Sequence, residues 1–325
     1  MTPEPHPSLM PLPEPAFGPP DRVAILVLAG GLPGLRAVPL ARALGVSVAL
    51  LPIDERQTVL HRWLQVLSAI PAVSRPVVLL TDDGERDLFE HVLQSNTALL
   101  WSGGQDSLHR GSAGIVADAF SSCFTAKGIE VSGVVVVESS RWPFTGFGRS
   151  FELLPNPCAR FGEDPWVGIT SAGEPLGVAY LPARSVAMIP SIGYFDLKEQ
   201  LLPLLHREGS GALPLRIEAQ ARDCRTRASY LESIRQELGG RGPRIAATAR
   251  CAASARVEGA SIICAGAEVA DGALVLDSVV LPGAVVGARC VVARSVVAPG
   301  AVVATGSLAV DAEVADFVDS TRRAG

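Results

Sequence analysis

Lysine is nearly absent from this sequence: the 325-residue chain carries two, Lys127 and Lys198, against twenty-six arginines. Any chemistry that needs an ammonium group therefore has two candidates. A positive excess is also missing, since 28 basic residues face 33 acidic ones for a net charge of −5. That balance leaves no global field to hold a nucleic-acid backbone or an anionic membrane surface, so neither is expected as a partner. No run of about 18 uncharged apolar residues occurs, and the opening MTPEPHPSLMPLPEP lacks the basic start and apolar core of a secretory signal. A cytoplasmic address is the expectation. CxxC spacing is absent too: Cys123, Cys158, Cys224, Cys251, Cys264 and Cys290 are scattered, which fits neither a disulfide framework nor a zinc site and predicts reduced, mostly buried thiols.

What is present is apolar, at 48% hydrophobic residues, enough for about two globular domains at roughly 150 residues each. Residues 1–21 stand apart, because Pro3, Pro5, Pro7, Pro11, Pro13, Pro15, Pro19 and Pro20 remove backbone donors and lock φ, excluding a helix or central strand. From Val23 the text changes to VAILVLAGG, VSVALLPI, VLHRWLQVL, PVVLLTDD, GIVADAFSSCF and VSGVVVVE. Short apolar runs between amphipathic stretches suit a mostly parallel sheet buried on both faces, so residues 22–240 read as an α/β domain. The segment WVGIT, SAGEP, LGVAYL reads as a hairpin, which makes the sheet mixed, and LKEQLLPLLHREG as an amphipathic helix closed by Gly209.

Residues 243–325 follow a different rule. Ile245, Cys251, Val257, Ile263, Val269 and Val275 recur every six residues, and Ala249, Ala255, Ser261, Ala267 and Ala273 follow four residues after the first five of them. Apolar-then-small spacing of this kind places apolar side chains inside a parallel β-helix and small ones at its corners. After a slip in phase, Val285, Val291, Val297 and Val303 resume the spacing, with turns at Pro282-Gly283 and Pro299-Gly300. The pattern resembles left-handed β-helices of the hexapeptide-repeat type, and flat β-helix faces that need covering predict a homo-oligomer through this domain.

The chemistry-bearing segment is ILVLAGGLPGLRAVPL, in which a buried strand runs into a loop with Gly30, Gly31 and Gly34 followed by Arg36. Such glycines let backbone N–H groups approach phosphates closely, and an arginine beyond them can bind phosphate oxygens through two hydrogen bonds. This opening resembles the GGxGTRLxPLT motif of the sugar-1-phosphate nucleotidylyltransferases, with one residue inserted and Leu35 where that family has Thr. Further likenesses follow in order. The GSAG turn at Gly111, Ser112, Ala113 and Gly114 is similar to the family's GTAG; GYFDLKEQLLPLLHREG from Gly193 is similar to its helix near the sugar pocket; Asp223, ahead of Tyr230-Leu231, matches its second metal carboxylate; a hexapeptide domain is its commonest appendage. The resemblance, to members with such an appendage as in mannose-1-phosphate guanylyltransferases and glucose-1-phosphate adenylyltransferases, implies a Rossmann-like domain followed by a left-handed β-helix.

It also implies the reaction: a sugar-1-phosphate oxygen attacks the α-phosphorus of a nucleoside triphosphate, and pyrophosphate leaves. On that pattern Gly30, Gly31 and Gly34 hold phosphates and Arg36 neutralises charge on the leaving group as the catalytic residue. Gly111 to Gly114 shape the base pocket, and Asp223 with Glu138 binds Mg²⁺. Partners would be a nucleoside triphosphate and a sugar-1-phosphate, or a nucleotide-sugar.

Three departures set a second reading beside the first. Where the family has a Pro-Lys pair this chain has Ser47-Val48, so an apolar side chain replaces an ammonium. Where a strand ends in an NGD-like carboxylate, VVVVESSRW offers Ser140 at the aligned place and Glu138 two residues earlier. Glu163-Asp164-Pro165 stands where the family has a central lysine. Losing one such clamp in a desolvated phosphate site costs several kcal/mol of transition-state stabilisation, hence orders of magnitude in rate. A catalytically degenerate nucleotide-sugar-binding or regulatory homologue is therefore the alternative, as among the non-catalytic subunits of translation-initiation exchange factors and the regulatory partners of guanylyltransferases. Acyl transfer on a β-helix is disfavoured because the last histidine, His206, precedes the repeats. Trp142 and Trp166 read as packing residues.

Overall fold

The computed structural model describes residues 23–29, 38–68, 73–82, 86–87, 89–90, 99–105, 107–143, 164–217 and 220–315. The proline-rich extension, the glycine loop at 30–37 and residues 316–325 lie outside these, as does Cys158.

Strand β1 (Val23–Leu28) shows why the apolar runs are continuous: Val23, Ile25 and Val27 face one core and Ala24 and Leu26 the other, all fully buried. A strand covered on both sides has no solvent face to make polar. The other strands are β2 (Val73–Asp82), β3 (Leu99–Gln105), β4 (Gly133–Glu138), β5 (Arg141–Pro143), β6 (Trp166–Ile169), β7 (Pro175–Pro182), β8 (Leu213–Arg216) and β9 (Ala221–Asp223). Seven of them form one sheet in the order β3-β2-β1-β4-β7-β6-β8. β3, β2, β1 and β4 run parallel, β7 is antiparallel to β4 and β6, and β8 is parallel to β6. The mixed sheet follows from the β6–β7 hairpin, whose turn closes through Thr170 N–H on the Glu174 carbonyl at 2.8 Å. β5 and β9 pair separately.

Helices α1 (Pro39–Leu44), α2 (Val59–Ser68) and α6 (Arg227–Leu238) contribute to the core on one face of the sheet. The other face is covered by α3 (Ser107–Cys123), α4 (Ala183–Ala187) and α5 (Leu202–Arg207). The amphipathic stretch from Leu197 is not one regular helix. Pro203 has no N–H to donate, and the turn Leu197–Leu201 before it widens to π geometry before α5 begins. The apolar run Val46–Ile53 supplies no sheet strand: Val48–Leu50 is a 3₁₀ turn, and Pro52 makes only an isolated bridge to Thr58. No helix among the described residues is long and apolar enough to cross a membrane.

The C-terminal region is a β-helix-like stretch of three parallel sheets built from strands of two or three residues. Register defines the coils: Arg244 pairs with Ile262 after 18 residues, then Ile262, Val279, Val296 and Glu313 pair in turn at 17. The slip in phase therefore happens in every later coil, not once. It corrects the inward assignment, since Val285 and Val291 are half-exposed while Val280, Val286, Val292, Val297 and Val303 are buried. Interior positions recur as six, six, five.

The shortened corner explains the slip. The first coil turns through Gly259 and Ala260, whereas later coils turn through one residue with positive φ: Asp277 at 46°, Arg294 at 46° and Asp311 at 53°. The next residue is a buried serine in two of these corners, and the serines ladder between coils. Ser261 Oγ accepts from Ser278 N–H at 3.2 Å, Ser278 Oγ from Ser295 N–H at 3.0 Å, and Ser295 Oγ from Ala312 N–H at 3.0 Å. A buried N–H left unpaired by a short corner would cost about 1–3 kcal/mol, so the hydroxyl completes the turn.

Ile245 and Cys251, assigned inward by the sequence period, are instead exposed, because no earlier coil stacks on theirs. Cys123, Cys224, Cys264 and Cys290 are buried as expected. The outer side of the first sheet is not solvent-facing either: Ile262, Val279 and Val296 are fully buried, and α1 packs against Glu313–Val314. Arg227 of α6 fastens the contact, donating to the Arg294 carbonyl at 2.7 Å and pairing with Asp311 at 3.2 Å and Glu313 at 3.3 Å.

Candidate functional site

Ligands of open α/β sheets bind beyond the carboxyl ends of parallel strands, and here those ends are tied together. β1 and β4 are neighbours in register, Leu28 beside Glu138. Ser139 Oγ donates to the Leu28 carbonyl at 2.8 Å, Ala29 N–H to the Leu80 carbonyl at 2.9 Å, and Ser47 Oγ to the Ala29 carbonyl at 2.5 Å. Leu28 and Ala29, which lead towards the glycine loop, are thus held by three bonds, two of them on Ala29. Gly30, Gly31, Gly34 and Arg36 themselves lie outside the described residues.

A turn at Ser139-Ser140 carries the chain from β4 into β5, and β5 pairs with β9 so that Arg141 stands directly opposite Asp223. Ser140 contributes its backbone: its carbonyl accepts from Cys224 N–H at 3.1 Å and from Cys224 Sγ at 2.9 Å. Burial pushes the Cys224 thiol well above its usual range, with the Asp223 charge adding to the effect, so this thiol is inert at neutral pH. The topology therefore brings Glu138 and Asp223 to one corner of the sheet, three residues and one cross-strand pair apart.

Each carboxylate there already has a cation. Lys198 extends from the turn before α5 and places Nζ 2.9 Å from Glu138 Oε1 and 3.0 Å from Oε2. Arg225 folds back on Asp223, with its terminal nitrogen 2.7 Å from Oδ2, Nε 3.1 Å from the same oxygen and backbone N–H 2.8 Å from Oδ1. For Asp223, burial works to raise the pKa, but the Arg225 hydrogen bonds and the Arg225 and Arg141 charges outweigh it and hold the carboxyl below its ordinary value. Arg225 is correspondingly raised, first by its bond to Asp223 and in part by the charge of Glu138. Five groups thus share one field: Glu138 and Asp223 against Arg141, Lys198 and Arg225. Among the described residues no three His, Cys, Asp or Glu side chains gather as a metal site would need.

The GSAG turn is committed to the fold. Gly111 has φ +69°, and a Cβ there would sit 2.7 Å from the Phe195 carbonyl oxygen, so only glycine fits. That same carbonyl accepts from Ala113 N–H and Gly114 N–H, both at 3.0 Å, satisfying donors at the start of the regular part of α3. Ser112 Oγ donates to Asp196 at 2.9 Å and accepts from Leu197 N–H at 2.9 Å. Arg110, bidentate on Asp118, also donates to the Gly193 carbonyl at 2.7 Å and the Pro190 carbonyl at 3.0 Å. The turn therefore positions the segment that delivers Lys198.

Val48 is buried at 5% exposure, in the same core as Val27 and Ala29. Asp164 pairs with Arg184 at 3.2 Å. Trp142 and Trp166 are fully buried, edge-to-face on Tyr230 and stacked on Tyr180 respectively. Beside Glu138 and Lys198 a cavity of about 30 Å³ opens, also bounded by Gly177 and Leu197. A larger one, about 630 Å³, lies near the amino end of β4 between Phe120, Ile129 and Val186, away from this chemistry.

Reading the sequence for motifs missed Lys198, Arg225 and Arg141. The signals were there: the scarcity of lysine pointed to Lys198, and Arg225 stands two residues after Asp223. No protein-family model matches the chain, and no curated protein matches it.

Proposed function

We propose that this chain is a divergent relative of the sugar-1-phosphate nucleotidylyltransferases that binds a nucleotide or nucleotide-sugar without efficient transfer chemistry. On this reading the α/β unit is Rossmann-like, the coils wind left-handed, and the ligand's phosphates lie between the glycine loop and the corner of Glu138 and Asp223. One observation carries the proposal: both carboxylates that would hold a metal are closed by the protein's own cations, Lys198 and Arg225.

Nucleotidyl transfer needs in-line placement and neutralisation of charge on the leaving pyrophosphate. The Mg²⁺ that the resemblance implies does not fit the described residues, because a divalent ion would have to displace Lys198 or Arg225 from charge-assisted hydrogen bonds. Buried Val48 supplies no charge, and the Ser140 backbone is taken up by Cys224. What the described residues support is binding: the cations of Arg141, Lys198 and Arg225 are gathered at one corner, where they can meet phosphate oxygens.

The test is a pyrophosphate-release assay across nucleoside triphosphates and hexose-1-phosphates, run beside thermal-shift binding. Ligand-dependent stabilisation without turnover is the expected result. Turnover abolished by Arg36→Ala and by Asp223→Asn would instead establish the transferase.

Self-association through the β-helix belongs to the same reading. Leu274, Val291 and Leu308 stack in register on an outer face, and Leu308 is 72% exposed. Light scattering should find an oligomer that Leu308→Glu dissociates; a strict monomer at micromolar concentration refutes it.

A further inference from the structure

We infer that Lys198 and Arg225 stand in for a divalent cation, so that the corner of Glu138 and Asp223 takes the diphosphate of a ligand without any metal. The inference rests on the reading of this corner as a phosphate-ligand site and names how its charge is balanced.

The count of charge decides what the corner attracts. Arg141, Lys198 and Arg225 carry three positive charges against two on Glu138 and Asp223, at a corner set by the β4–β5 turn and the β5–β9 pair. They are linked as a chain of pairs, with Lys198 on Glu138, Arg225 on Asp223 and in the field of Glu138, and Arg141 facing Asp223. A net positive corner disfavours entry of a divalent cation and favours an anion. Lys198 is also placed to exchange partners. Its side chain is 58% exposed, against 25% for Glu138, and among the described residues its ammonium bonds to Glu138 alone. An ammonium on a flexible stem can turn from a carboxylate to a phosphate oxygen at little cost. Arg225 is more firmly held, through both nitrogens on Asp223. The corner thus divides its cations into a fixed one and an exchangeable one.

Lys198 is moreover delivered by a built path. The GSAG turn holds Phe195 and Asp196 by backbone and side-chain bonds, and Asp196 Oδ1 accepts from the backbone N–H of Lys198 at 2.8 Å and of Glu199 at 3.0 Å. The other lysine, Lys127, closes the turn after α3 by the amino end of β4.

Titration calorimetry of the full chain with inorganic pyrophosphate, in EDTA and then in Mg²⁺, tests this. Wild type should bind in EDTA with an affinity that Mg²⁺ changes less than about twofold. Lys198→Ala should weaken binding by about fivefold or more, for the loss of one charge-assisted contact, and Lys198→Arg should restore most of it. Glu138→Gln gives the opposite-sign arm: a metal ligand lost abolishes binding, whereas a competitor for Lys198 removed tightens it, by up to about fivefold. Binding that requires Mg²⁺, or that is indifferent to Lys198, or that collapses in Glu138→Gln, overturns the inference. The two readings fail separately. Pyrophosphate binding with no response to any nucleotide-sugar refutes the nucleotide site and keeps the metal-free corner; metal-dependent nucleotide binding does the reverse.

Discussion

Substituting Val48→Lys puts back the ammonium that the family resemblance expects, and the structure predicts that the protein will resist it. Val48 opens a 3₁₀ turn whose first N–H groups, of Ala49 and Leu50, donate to the Ser47 hydroxyl and carbonyl, and the residue is 5% exposed within the core that holds Val27 and Ala29. The lysine stem can replace much of the apolar volume, so the cost comes from the charge. Burial lowers a lysine pKa by about 2–4 units in such sites, at 1.36 kcal/mol per unit, which gives roughly 3–5 kcal/mol of destabilisation at pH 7. The sign with pH follows from linkage. A lysine whose folded pKa lies below its unfolded value binds fewer protons when folded, so the variant recovers stability as pH rises between the two values. Urea unfolding at pH 7 and pH 9.5, wild type against variant, reads the difference. A loss below about 1 kcal/mol with no change between the two pH values, and with new pyrophosphate release, would show that residue 48 reaches a ligand and that its burial has been misjudged.

Other outcomes are expected from the same structure. Ser278→Ala should destabilise by about 1–3 kcal/mol in chemical denaturation, because Ser295 N–H loses its acceptor inside the β-helix; the exposed Ser254→Ala serves as the control. Gly111→Ala should cost about 1–3 kcal/mol, since φ is +69° and the new methyl meets the Phe195 carbonyl, and circular dichroism melting would detect it. Asp223→Asn should narrow the pH dependence of stability. The depressed Asp223 pKa contributes stability that is fully present above the unfolded value and lost as pH falls through the folded one, so wild type and variant should converge on acidification. Arg227→Ala should raise hydrogen exchange in the strands at Val296–Val297 and Glu313–Val314, whose tie to α6 it supplies.

Legibility varied with the kind of constraint. Strand β1 was readable because burial on both faces leaves an unbroken apolar run, and the β6–β7 hairpin because a glycine turn separates two such runs. The β-helix was readable from period six, yet its phase was not. Six and five look alike in a valine-rich text until register shows which valine of each pair points inward, as with Val285 and Val286. Helix α5 was readable as apolar periodicity, while the π turn before it depends on Pro203. At the candidate site Glu138 stood out as a carboxylate at a strand end and Asp223 by its spacing ahead of Tyr230-Leu231; Arg225 lies two residues from Asp223, but nothing in the sequence shows the partner of Glu138. Lys198 is 60 residues from Glu138 along the chain and 2.9 Å from it in space.

By itself, the order of residues determined the local and periodic features: which runs are buried on both sides, where prolines forbid regular structure, that the C-terminal quarter repeats, and that ammonium groups are scarce. These follow from side-chain volume, backbone freedom and charge, properties each residue carries wherever it is placed. Only tertiary structure decided that Val48 faces a core, that the GSAG amides are spent on the Phe195 carbonyl, and that Glu138 meets Lys198 and Asp223 stands opposite Arg141. Charge pairing falls off with distance, and distance between remote residues is set by how the sheet, the β4–β5 turn and the α3 to Lys198 segment are assembled.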